Sequence, residues 1–174
     1  MSQSLSYRMV PVVLTFSAFL LCTARTSATE ISGTISSTMT IMDNSELVGD
    51  VSCMVAGAPC ITIGASGIKL RLNGFTITDD ANPSNNCATS NFTEDGILVN
   101  AQHHVAILGP GLVQKFAGLG IALQGSTKVK VKDVTASDNC FSGIFLSATT
   151  DSDIERNISV RNSIGSQGSP CGGT

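Results

Sequence analysis

Four carboxylates stand at the two ends of one polar stretch, Asp79 and Asp80 before it and Glu94 and Asp95 after it. Looping out the residues between them would gather all four. Clustered carboxylates can bind Ca²⁺, or divide the acid and base roles of polysaccharide cleavage. Adjacent acidic residues at a solvated loop base look the same in sequence. No resident cofactor is expected, and Ca²⁺ enters only if these four residues form an enzyme's site.

Two further sets of residues could do chemistry. His103 and His104 are adjacent in "NAQHHVAIL". In an extended strand neighbouring side chains point to opposite faces, which makes joint coordination of one ion awkward. Six basic side chains, Lys69, Arg71, His104, Lys128, Lys130 and Lys132, precede or punctuate short β-branched runs. On one face they could bind an acidic polymer such as a uronate chain. Cross-coil ion pairs on a soluble surface are the simpler expectation, each contributing about 0 to 1 kcal/mol.

These residues must be positioned by a repeat. "GILVN" at Gly96–Asn100, "GIALQ" at Gly120–Gln124 and "GIFLS" at Gly143–Ser147 start 24 and then 23 residues apart, and "CITIG" at Cys60–Gly64 fills the same place one unit earlier. A period of this length marks a stacked solenoid. Ile61, Ile97, Ile121 and Ile144 then form one inward column and Ile63, Val99, Leu123 and Leu146 another. Thr62, Leu98, Ala122 and Phe145 lie between them and point outward. Second strands begin at Ile68, Val105, Val129 and Ile154, and third strands are suggested at Phe75–Ile77, Gly111–Val113, Asp133–Thr135 and Ile158–Val160. Three short strands per turn define a parallel β-helix. Its second face carries the outward columns Gly67, His104, Lys128 and Asp153, then Lys69, Ala106, Lys130 and Glu155, then Arg71, Leu108, Lys132 and Asn157. The pairs Lys128 with Asp153 and Lys130 with Glu155 follow.

Ile61 and Ile97 are 36 residues apart, and the excess falls between Thr78 and Asp95, an inserted loop. Phe92 and Phe116 are spaced for stacking across it, and Asn139 and Asn162, 23 apart, are spaced for an internal amide ladder. The chain divides into residues 1–28 as an export signal, 29–59 as an N-terminal cap or incomplete first coil, 60–164 as the β-helix and 165–174 as a tail. The signal rests on Arg8, the apolar run Met9–Cys22, and the small residues Thr26 and Ala28 before the cleavage point. The run is too short to span a bilayer.

An exported chain loses Cys22 with its leader and keeps Cys53, Cys60, Cys87, Cys140 and Cys171 in an oxidising compartment. Two bridges and one further thiol are expected. Cys60 can meet Cys87 or Cys53, and Cys140 can meet Cys171 if the tail folds back. Cys87 with Cys140 would cross two coils and is disfavoured. Net charge is −3, which argues against nucleic acid as a partner.

The segments "LVGDVSC", "GIKLRLNGFTI", "VAILGPGLVQKFAGLGI" and "VTASDNCFSGIFL" resemble the secreted bacterial right-handed parallel β-helix repeat proteins of the pectate-lyase-like superfamily. The likeness spans Leu47 to Asn162 and implies an all-β, single-stranded right-handed solenoid of about four to five coils. Relatives of that kind include polysaccharide lyases and hydrolases and the periplasmic accessory of nitrous oxide reductase. Arg71 and Phe75 replace the Asp and His of the usual "LDLNGHTI" pattern.

Three functions follow as expectations, in this order. The first is a secreted or periplasmic module that binds extended carbohydrate or a surface partner without catalysis. The second is a small polysaccharide lyase or hydrolase using the acidic insert with Arg71 or a lysine; a stack this short offers such an enzyme few subsites. The third is a periplasmic metal-delivery accessory, placed last because no Met or His cluster suits copper. No membrane association is expected after signal cleavage. The tail "SIGSQGSPCGGT" stops where another coil would begin, which points to a longer parent chain or to end-to-end self-association.

Overall fold

The computed structural model describes residues 28–80, 87 and 92–163. The leader, the tail with Cys171, and most of the insert lie outside the described residues. Thirteen strands are present among the described residues. In chain order they are β1 (Thr29–Ile35), β2 (Met39–Ile41), β3 (Ser45–Cys53), β4 (Ile61–Ile63), β5 (Lys69–Arg71), β6 (Thr76–Asp79), β7 (Ile97–Asn100), β8 (Ala106–Gln114), β9 (Ile121–Gln124), β10 (Lys130–Ser137), β11 (Ile144–Ser147), β12 (Asp153–Glu155) and β13 (Ile158–Val160).

All pairings are parallel and link one turn of chain to the next, so the fold is the parallel β-helix that the repeat predicts. The small sheet has the order β2-β4-β7-β9-β11, and its five strands count five coils. The register is the one read from the Gly-Ile segments: Ile61 pairs with Ile97, Ile97 with Ile121 and Ile144 with Ile121. Ile61, Ile97 and Ile121 are fully buried, as are Leu70, Ile107 and Val131 in the large sheet. Each column carries apolar side chains up the axis, so every coil buries its neighbours' core as well as its own. In the last coil Leu146, Ile154 and Val160 are about 40 % exposed, and no described residue packs over them.

The expected three strands per turn hold only in part. Second and third strands are separate in the coil of β5 and β6 and in that of β12 and β13, whereas β8 and β10 each run through both positions as one bent strand. The bend in β10 is a register shift between Lys132 and Val134, where Asp133 takes φ +58°. A single left-handed residue turns the chain without breaking the ladder.

The same device forms the other corners. Ala101, Gly125 and Ala148 have φ of 53°, 54° and 49° at one corner, and Gly67, His104, Lys128 and Asp151 have 77°, 56°, 54° and 53° at the next. Left-handed conformations are costly for L-residues one at a time. Here the corners are tied to the next coil, as His104 N donates to Thr127 O and Lys128 N to Thr150 O.

The disulfides are Cys53–Cys60 and Cys87–Cys140. The first is one of the expected alternatives. The second corrects the expectation that such a bridge would span too many coils. Two coil steps amount to only about 10 Å, and Cys87 lies in the inserted loop outside the repeat, with its Cα 5.4 Å from that of Cys140. Phe92, at the end of the insert, also meets that later coil. Its ring stacks on Phe141 at 3.6 Å between centroids, while Phe116, the expected partner, is buried.

Candidate functional site

The four carboxylates are not brought into one cluster. Asp79 is buried at the end of β6, in register with Cys53. Asp80 follows it and donates its N–H to Cys53 O. Glu94 Oε1 accepts from Gly57 N at 2.6 Å, and Asp95 Oδ1 accepts from Leu119 N at 2.9 Å. Glu94 and Asp95 therefore hold the neck of the insert to the coils on either side. Burial raises the Asp95 carboxyl to about 6, against the opposing pull of the Leu119 N–H. Among the described residues no three His, Cys, Asp or Glu side chains stand together as ligands.

The charged face needs a shift of register. In strand register Lys130 faces Asp153 and Lys132 faces Glu155, so Lys130, not Lys128, meets Asp153, while the expected ion pair of Lys130 with Glu155 forms on the diagonal. The expected offset fails because Lys128 is a corner residue with φ +54°, not a strand residue. Lys130 Nζ lies 2.6 Å from Asp153 Oδ2 and 3.3 Å from Glu155 Oε2, and Lys132 Nζ lies 3.8 Å from Glu155 Oε2. The hydrogen bond from Lys130 holds the Asp153 carboxyl below its ordinary range. Lys69 and Arg71 sit on the same face opposite Ala106 and Leu108. With Lys130 and Lys132 facing carboxylates, the face offers a polyanion much less positive field than the sequence suggested.

The histidines behave unlike the sequence expectation. His103 sits at an isolated bridge with Thr127, and His104 at the corner with φ +56°. The left-handed residue breaks the strand alternation and swings both rings to one side. His103 Nδ1 and His104 Nδ1 are 3.0 Å apart, with ring planes at 86°. Both side chains are exposed. The backbone beneath them is pinned: His103 N donates to Ser66 Oγ at 3.0 Å, Gly67 N to His103 O at 2.9 Å, and His104 N to Thr127 O at 3.1 Å. Ser66 Oγ in turn donates to Gln102 Oε1.

Two nitrogens at ~2.0 Å from one ion and at right angles about it lie about 2.8 to 3.0 Å apart, which is the spacing of neighbouring positions in a tetragonal Cu²⁺ complex. As it stands the contact is a hydrogen bond, one ring donating from Nδ1 and the other accepting. The distance alone is compatible with two imidazoles sharing an ion once both protons move to Nε2.

With that geometry in place, the comparison with known families is informative. Residues 22–169 match the family model described as periplasmic copper-binding protein (NosD). The chain belongs to the NosD family. No curated protein and no solved structure matches the chain. Membership of a periplasmic family and two disulfides agree with an exported, periplasmic NosD-family chain. The family's copper binding leans against the expectation that no cofactor is involved, and it agrees with the reading placed third, metal delivery. Sequence reasoning discounted the histidine pair because it placed both residues in a strand. The available signal was the period: His104 falls 24 residues before Lys128 and 37 after Gly67, at a corner where glycine is accepted.

Proposed function

We propose that this chain is a non-catalytic periplasmic β-helix protein that binds copper through His103 and His104. The observation that carries the reading is the contact of the two Nδ1 atoms at 3.0 Å on a pinned corner. Family membership supports copper as the ion. To bind, each ring must carry its proton on Nε2, leaving both Nδ1 lone pairs for the metal. The ion then replaces the hydrogen bond that the pair makes between unlike tautomers. Exposure of both rings suits an ion that is taken up from one protein and passed to another. The rest of the coil supplies rigidity: Ser66 and Thr127 fix the backbone from the coils on each side.

The test is Cu²⁺ titration of the mature protein followed by electron paramagnetic resonance. The expected outcome is a 1:1 tetragonal signal with coupling to two nitrogens. His103→Gln with His104→Asn should remove that coupling and weaken binding at least tenfold. Asn tolerates the left-handed corner, so the fold is retained. Equal copper uptake by wild type and double variant would reject the assignment.

A further inference from the structure

At the far end of β8 from the histidines, three successive coils build a polar cleft on the outer face of the large sheet. Val51, Ile77 and Val113 are in register and buried, so the residues flanking them face outward. Asp50 and Ser52 come from β3, Thr76 and Thr78 from β6, and Gln114 from β8. With Asp80 they enclose about 290 Å³, and Val51 is the single apolar residue of the lining. That volume is at the low end for small-ligand pockets.

The chemistry of the wall selects the ligand. Hydroxyls and the amide can donate or accept, and the two carboxylates accept only. An apolar molecule would find almost no apolar surface to cover, and an anion would meet Asp50 and Asp80 with no cation among the described lining residues. A hydroxyl-rich ligand matches every group, because neighbouring sugar hydroxyls can both donate to one carboxylate. Part of the wall is set before any ligand arrives: Asp50 Oδ1 accepts from Thr76 N at 2.8 Å, and Gln114 Nε2 donates to Thr78 Oγ1 at 3.1 Å. Preset groups lower the ordering cost of binding.

We infer that this cleft binds one unit of a saccharide carrying no negative charge, and that a protonated amino sugar is held more tightly than a neutral one because of Asp50 and Asp80. The site is independent of the copper reading and opposite in charge preference to the polyanion face that the lysines suggested.

The experiment is an NMR titration of the mature, metal-free protein with glucosamine oligomers, neutral gluco-oligosaccharides and oligogalacturonate. The expected result is shifts confined to Ser52, Thr78, Gln114 and their neighbours with the first two, tighter with the glucosamine oligomers, and none there with oligogalacturonate. Gln114→Ala should weaken both about tenfold. Asp80→Asn should reduce the preference for the amino sugar, and Asp50→Asn with Asp80→Asn should abolish it, while neutral binding is retained. Silence with both saccharides at millimolar concentration, shifts at these residues with Ca²⁺ alone, or binding of oligogalacturonate in the cleft would each overturn the inference.

Discussion

Asn139 Nδ2 donates to Asn162 Oδ1 at 2.9 Å, one coil apart in the turn that leads back to the small sheet. Asn139 is fully buried, and its Oδ1 also accepts from Phe116 N at 3.1 Å. Asn162 repeats the pattern, accepting from Asn139 N and donating to Ala136 O. Each amide thus bonds to backbone groups of the preceding coil. Asn139→Ala leaves the Phe116 N–H without that acceptor inside the core, which costs about 3 kcal/mol. Asn162→Ala, at a half-buried position, costs about 1 kcal/mol. Urea unfolding of both variants checks the ratio.

Cys87–Cys140 and Cys53–Cys60 close loops of very different length, 53 and 7 residues. Loop entropy assigns about 4 kcal/mol to the longer and about 2 to the shorter. Replacing both cysteines of the long bridge by alanine should therefore lower stability roughly twice as much as the same change at the short one. Non-reducing peptide mapping should recover both pairs, and denaturant midpoints measure the difference.

The glycines of the Gly-Ile pairs are required by close approach between coils. A Cβ on Gly120 would stand 2.5 Å from Gly143 O and 2.8 Å from Asn139 Nδ2. Successive glycines lie so close along the axis that the obstacle is the backbone of the next coil. Gly120→Ala should cost more than 3 kcal/mol, or yield insoluble protein. Gly125 is the contrast: its φ is +54°, a Cβ there meets nothing within 4 Å, and Ala101 and Ala148 already occupy the same corner. Gly125→Ala should cost about 1 kcal/mol or less, read as a small shift of the thermal midpoint.

The inward columns were legible because burial imposes a strict two-residue alternation on every strand. Ile61, Ile97 and Ile121 announce themselves by type and spacing, and so does the ladder of Asn139 and Asn162. Corners are harder, because the left-handed conformation is accepted by His104, Lys128 and Asp151 alike and leaves no residue signature beyond the period. That is why the two histidine rings meet instead of pointing apart, and why Lys130 stands where Lys128 was expected, against Asp153. The polar cleft was missed because Asp50, Thr76 and Gln114 are distant in sequence, and only stacking of β3, β6 and β8 unites them. The course of Cys87 was invisible because an insert has no repeat to count.

Asp95 gives a pH dependence whose sign can be worked out. Its carboxyl rises from 3.8 to about 6 on folding, chiefly through burial. The folded chain therefore binds the extra proton between these values, and the stability associated with Asp95 is full below about pH 3.8 and lost as pH rises through 6. Two pH units correspond to about 3 kcal/mol, which partial screening near the insert reduces to about 2. Asp95→Asn keeps an oxygen to accept from Leu119 N and removes the buried charge. The variant should be more stable than wild type by about 2 kcal/mol at pH 8 and indistinguishable from it near pH 4. Urea denaturation at the two pH values measures this. A variant less stable than wild type at pH 8 would mean that the second carboxylate oxygen holds the neck of the insert more strongly than its charge opposes burial.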